Sequence, residues 1–393
     1  MRLCPAEARV RIACADTVDQ GVEGKSGGAH WGGDRGRGRA LVGNASTWGL
    51  LLTGRLVELA PGRDRAPRHL LAGLVARAGE PVIRGALRQA MHILAHQFVM
   101  GRNIDEAVRR SRGSQARHSF DMLGEAALTA ADADAYFGAY ANAIDTLGRA
   151  AEGRDLFDRP GISVKLSALH PRYEYAQRER VLHELPARLG ALAEKAKAAG
   201  VGLTVDAEEA RRLELSLEVF RAVFARPTLP GWEGLGVAVQ GYQKRAPAVI
   251  DWLADLADTH GRRIPLRLVK GAYWDSEIKA AQQQGLADYP VFTRKANTDV
   301  AFLACARQVL ANTDAFYPQF ATHNAHTLAA LLELAGDRRG LEFQRLHGMG
   351  EALYEKLQAE QPDLHCRVYA PVGGHEVLLP YLVRRLLENG ANT

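Results

Sequence analysis

The chain of 393 residues carries only four cysteines, Cys4, Cys14, Cys305 and Cys366. None forms a CxxC pair, so the usual zinc-ribbon and dithiol redox motifs are excluded. Four scattered thiols also make no disulfide scaffold. No apolar run approaches the ~18 residues of a membrane span. Glu7, Asp16 and Asp19 stand where a signal peptide would be apolar. No GxGxxG follows an apolar run, which removes the common dinucleotide fingerprint of a doubly wound sheet. Together these absences point to a cytoplasmic protein of a reducing compartment.

The charge is unevenly distributed. The formal net charge is +5, yet residues 1–120 hold +9 and the remainder −4. Any argument for a polyanion partner therefore applies to the first third alone. Residues 21–40 contain eight glycines and read as a flexible leader. Gly24-Lys25-Ser26 resembles the tail of a P-loop, but Asp19 occupies the place of that motif's first glycine. From about 46 to 118 the apolar spacing is helical. One helix covers WGLLLTGRLVEL, another EPVIRGALRQAMHILAHQFVM, and a short one spans 103–112 with Asn103 as its cap. His92 and His96 share a helix face, but no zincin glutamate accompanies them and no metal site is expected.

Beyond 118, short apolar runs alternate with long amphipathic segments. The runs begin at Ser119, Gly161, Gly202, Gly236, Leu266, Gln319, Glu342 and Arg367. Eight strand–helix units in roughly 275 residues predict a (β/α)8 barrel; an open doubly wound sheet is the alternative. Active sites of such barrels lie at the C-terminal ends of the strands. The polar residues at or near those ends are Lys165, Asp206, Gln240, Lys270, His323, Asn324 and Tyr369. The last helix, HEVLLPYLVRRLLENG, places Tyr381, Arg384 or Arg385, and Glu388 on one face. A double arginine there is either a solvated stripe or a clamp for a carboxylate, which a guanidinium fork matches at two points.

The segments NASTWGLLLTGRLV, GEPVIRGALRQAMHILAHQFVMGRNIDEA, SFDMLGEAALT, GISVKLSALHPRYE, LTVDAEEA, VAVQGYQKR, LRLVKGAYWDSEIK, QFATHNAHT, HGMGEALY, RVYAPVG and YLVRRLLENGANT resemble, in order, the proline dehydrogenase domain of the bacterial proline utilisation A flavoenzymes. The resemblance implies a distorted (β/α)8 TIM barrel whose last helix sits over the strand ends, preceded by a small helical region. It divides the chain into a leader at 1–43, a helical arm remnant at 44–118 and a barrel at 119–393.

It further implies FAD as cofactor and oxidation of L-proline to Δ1-pyrroline-5-carboxylate, by hydride transfer from proline C5 to flavin N5. Arg384, Arg385 and Lys165 would hold the proline carboxylate. Asp206, Tyr273, Leu346, Tyr369 and Tyr381 would wall the ring, and Glu125 would pair with the first arginine to close the site. The flavin would be held by Gln240, Arg267, Lys270, Gly271, Trp274, Thr293, Lys295, Thr322, His323, Asn324, Gln344 and Glu388. Arg267 would face flavin N5.

A quinone would accept the electrons through peripheral contact with the inner membrane. Residues 1–30 match the family's arm poorly and no ribbon-helix-helix segment is recognisable, so no nucleic acid is expected as partner. The chain stops where the family continues into an aldehyde dehydrogenase, so that second activity is not expected either. A nucleic-acid-binding protein using the basic first third, and another flavin-dependent barrel such as a folate reductase, remain open alternatives.

Overall fold

A computed structural model describes residues 97–150 and 155–374, together with Tyr381 and Arg384. The expected helices before Gln97, the P-loop-like tripeptide, and the His92/His96 pair lie outside the described residues.

Eight parallel strands close into a barrel in sequence order. They are β1 (Arg117–Met122), β2 (Gly161–Val164), β3 (Gly202–Val205), β4 (Leu235–Gln240), β5 (Ile264–Val269), β6 (Phe316–Ala321), β7 (Glu342–Leu346) and β8 (His365–Val372). The seam between β1 and β8 runs in register from Arg117 opposite Arg367 to Met122 opposite Val372. Helix α1 (Ile104–Ser111) precedes the barrel. Asn103 caps it, its side chain accepting from the Glu106 N–H at 2.9 Å. Buried Ile104, Ala107 and Val108 form the face of α1, which packs on β1 and β8.

The connecting helices are α2 (Ala130–Ala150), α3 (Leu166–Leu169), α4 (Arg178–Ala199), α5 (Leu213–Phe224), α6 (Ala246–His260), α7 (Trp274–Gln283), α8 (Lys295–Ala311), α9 (Ala325–Ala335) and α10 (Glu351–Glu360). All eight strand positions follow the sequence pattern, with boundary shifts of a few residues. Two runs divide differently. LSAL, after Lys165, forms the short helix α3 instead of extending β2, as its lack of β-branched residues allows. Residues 124–128 leave β1 as a loop in which Gly124 (φ 139°) and Ala126 (φ 57°) take left-handed backbone.

Alternate strand residues divide two environments. Phe120, Ile162, Leu203, Val237, Leu266, Phe320, Phe343 and Ala370 are buried in the apolar core that includes the surrounding helices. Each of the larger side chains contributes about 1.5–3 kcal/mol on burial. Among the intervening positions, Ser119, Asp121, Ser163, Arg267, Gln319, Glu342, Gln344, Arg367 and Tyr369 are polar and meet one another in the bore. Layers of branched apolar residues more often fill such a bore. No described helix is long and apolar enough to cross a membrane.

Candidate active site

The polar bore opens at the strand ends, where Lys165 is the hub. It directly follows β2 and is 7% exposed. Its Nζ donates to Asp121 Oδ1 at 2.7 Å, Asp206 Oδ2 at 3.2 Å and Tyr369 OH at 3.2 Å. Burial disfavours the ammonium, but the Asp121 carboxylate, with Tyr369 and Asp206, outweighs this and holds its pKa well above the ordinary value. Lys165 is thus a fixed cation and not a proton acceptor.

Asp206 follows β3 and joins the network from the other side. It accepts from Tyr369 OH at 2.7 Å and from Arg267 Nη1 at 2.8 Å. Arg267, on β5, also donates to Ser163 Oγ at 2.9 Å, Ser119 Oγ at 3.2 Å and Gln344 Oε1 at 2.7 Å. Its guanidinium lies 5.3 Å from the centre of the Tyr369 ring.

Above this floor, Arg384 meets Glu125 at two points, 2.6 and 2.9 Å apart. Burial works against its charge, but the Glu125 fork more than compensates and raises its pKa further. The Arg384 guanidinium stands 5.6 Å over the Tyr273 ring. Burial raises the Tyr273 phenol above its ordinary range, so the hydroxyl stays protonated. Tyr381 is 3% exposed. Leu346 ends β7, and its N–H donates to His323 Nε2 at 2.9 Å. Arg385 and Glu388 lie outside the described residues.

The remaining predicted residues gather along the rims of β4 to β7. Gln240 ties two mouth loops, donating to the Glu208 carbonyl at 2.8 Å and accepting from Ala272 N–H at 3.2 Å. Thr322 Oγ1 accepts from the Asn324 N–H at 3.2 Å, and Asn324 caps α9 through Thr327. Lys270 and Lys295 share one counterion, Asp299, at 2.5 and 2.9 Å. The exposed Trp274 indole donates to the Phe292 carbonyl at 2.9 Å, with exposed Thr293 next in sequence. Gly271 has φ 147°, and a Cβ there would meet the Tyr242 ring at 2.5 Å.

Three members of the network were not anticipated: Asp121, Ser119 and Ser163. Asp121 and Ser119 lie in SFDM, where polar residues alternate around buried Phe120. That alternation was the available signal of a polar bore. Among the described residues no cluster of His, Cys, Asp and Glu suits a metal ion.

A family model described as proline dehydrogenase matches residues 104–393. The chain belongs to the proline dehydrogenase family. A second model, described as the DNA-binding domain of proline dehydrogenase, matches residues 1–98. That match extends through residues 1–43, which the resemblance had left uncovered, and its description bears against the expectation of no nucleic-acid partner.

Bifunctional protein PutA of Salmonella typhimurium is 51% identical over 401 residues, covering all of this chain and 30% of the relative. The chain thus spans about a third of the length of the curated PutA relatives. Proline dehydrogenase of Deinococcus radiodurans is 27% identical over 322 residues, covering 80% of this chain and 92% of the relative. A crystal structure of proline utilization A from Bradyrhizobium japonicum superposes with TM-score 0.75 at 53% identity, over 98% of this chain and 39% of that one. That of Bdellovibrio bacteriovorus, inactivated by N-propargylglycine, gives 0.79 at 27% identity, over 99% and 42%.

Proposed function

We propose that this chain oxidises L-proline to Δ1-pyrroline-5-carboxylate with FAD as its cofactor. The observation that carries the reading is the barrel mouth of a proline dehydrogenase family member, where buried Lys165 and forked Arg384 stand around Tyr273, Tyr369 and Tyr381. Lys165, Arg384 and Arg385 bind the substrate carboxylate, and guanidinium forks favour that planar anion. Leu346 and the three tyrosines pack against the ring. Tyr381 and Arg384 cover the mouth against water, and the clamp orients C5. Lys165 stays charged, and Asp206 already accepts three hydrogen bonds. Neither is therefore suited to take the amine proton, and water does so.

The rim from β4 to β7 fits a flavin dinucleotide. Lys270 and Lys295 share one aspartate, leaving a surplus positive charge for a diphosphate. Gly271 leaves bare backbone where a side chain would collide with Tyr242, and Trp274 offers an exposed ring. Gln240, Arg267, Thr293, Thr322, His323, Asn324, Gln344 and Glu388 would complete the set. When bound, FAD would supply the two-electron acceptor for the hydride lost from proline C5, and a quinone would be the final electron acceptor. Buried Arg267 stabilises negative charge that develops nearby. The test is a dye-linked assay of the purified FAD-loaded protein. L-proline-dependent dye reduction is expected, and none after FAD addition would refute the reading.

A second reading concerns the first third. Residues 1–98 match a model described as DNA-binding, and residues 1–120 carry +9. Electrostatic binding to duplex DNA would weaken steeply with salt. Titration of labelled duplex at low and moderate salt tests this, and no binding at low salt would remove it.

A further inference from the structure

Beneath Arg267 the bore holds a second charged group, which the mechanism above does not use. Glu342 opens β7 and is 0% exposed. Its Oε1 accepts from Arg367 Nε at 2.7 Å, Gln319 Nε2 at 2.9 Å and Gln344 Nε2 at 2.7 Å. Its Oε2 accepts from Arg117 Nη1 at 3.3 Å. Burial opposes its charge, but Arg367 outweighs that and keeps the carboxyl below its usual range.

Gln344 therefore stands between unlike neighbours. On one side is a carboxylate, which only accepts. On the other is the Arg267 guanidinium, which only donates. A single orientation of the carboxamide satisfies both: NH2 toward Glu342 and oxygen toward Arg267 Nε at 2.7 Å. The opposite orientation would set donor against donor and acceptor against acceptor in a water-poor bore, where unpaired polar groups are costly.

We propose that Glu342 is a positioning residue for Arg267. It acts through Gln344, whose amide it locks with the oxygen aimed at the Arg267 Nε–H. Glu342 thereby fixes the plane of the guanidinium that Ser119, Ser163 and Asp206 hold on its other edges. What Arg267 does in turnover rests on the proline dehydrogenase reading; where Arg267 is held does not.

The test compares Glu342→Gln, Glu342→Asp and the swap Glu342→Gln with Gln344→Glu, in the full chain. Glu342→Gln removes the charge that sets the amide. Glu342→Asp keeps a counterion for Arg117 and Arg367 but withdraws it from Gln344, so it serves should the first variant fail to fold. The swap restores an acceptor to Arg267. The primary measurement is hydrogen exchange of the Arg267 Nε–H by NMR of arginine-labelled protein, with Arg267→Lys assigning the signal. Exchange about tenfold faster in either single variant, and slow again in the swap, is expected. In flavin-loaded protein, kcat of either Glu342 single variant should fall about tenfold, with KM for L-proline changed about twofold or less. Unchanged exchange in a folded single variant, or a swap that fails to restore it, would overturn the proposal. Protein that holds no flavin yet shows the expected exchange pattern would refute the enzymatic reading while leaving the positioning role intact.

Discussion

Glu125 and Arg384 lie 259 residues apart in sequence and form a two-point ion pair at 2.6 and 2.9 Å. The guanidinium is thus held in place by the carboxylate of Glu125. It stands over Tyr273, within electrostatic reach of Tyr369, the tyrosine bound to Lys165. One side of the mouth is set by the end of the chain and the other by the second strand.

Replacing Arg384 with methionine removes the fork and keeps most of the apolar stem. Charge-assisted hydrogen bonds contribute about 1.5–3 kcal/mol, so KM for L-proline should rise roughly 10- to 150-fold. Bound flavin should be retained. Steady-state kinetics on the yellow variant measures both, and an unchanged KM would show that the carboxylate binds elsewhere.

Gly271 separates Lys270 from the Trp274 segment. Gly271→Ala would set a methyl group 2.5 Å from the Tyr242 ring at φ 147°. The chain should fold, because the position is a rim loop outside the strands, but it should lose flavin on gel filtration more readily than the parent. Equal retention would place the cofactor away from this loop.

The eight strands were legible because each is a short apolar run set between amphipathic segments, and sequential strands in a barrel pair with their neighbours in chain order. Lys165 and Asp206 were legible as polar residues at strand ends, and Tyr369 as the polar residue within RVYAP, inside β8. Asp121 was harder to find. It lies within β1, one residue before that strand's end, and only its burial beside Lys165 gives it meaning. Glu342 and Arg367 were hidden for the same reason. They sit at or near the starts of the neighbouring strands β7 and β8 and pair at the barrel floor, a contact set by the register of those two strands. Glu125 and Arg384 were matched through the family resemblance, since no local pattern joins residues so distant.

His118 provides a pH test of the fold. Burial first, then the Arg367 charge, lowers its pKa from 6.5 to about 4. The folded state therefore binds this proton less readily than the unfolded chain. Stability is complete above the unfolded pKa and declines as pH falls from 6.5 toward 4, by about 2 kcal/mol for this residue between pH 7 and 5. Urea titrations at those two pH values should show a smaller loss in His118→Phe than in the parent. An equal loss in both would contradict the assignment.

Ala126 holds φ 57° in the loop that carries Glu125. Its N–H donates to Ser167 Oγ at 3.1 Å, which fixes the conformation. Left-handed backbone costs a residue with a Cβ about 1–2 kcal/mol, so Ala126→Gly should raise the urea midpoint by an amount corresponding to roughly 1 kcal/mol. A lowered midpoint would mean that the loop is not strained.

The most direct test of the enzymatic account is the visible absorbance of the purified protein under anaerobic conditions, before and after L-proline is added. The account predicts an oxidised flavin spectrum that L-proline bleaches, and no bleaching by NADH or by pyrrolidine, which lacks the carboxylate. Flavin that L-proline leaves oxidised, or protein that stays colourless after incubation with FAD, would contradict it.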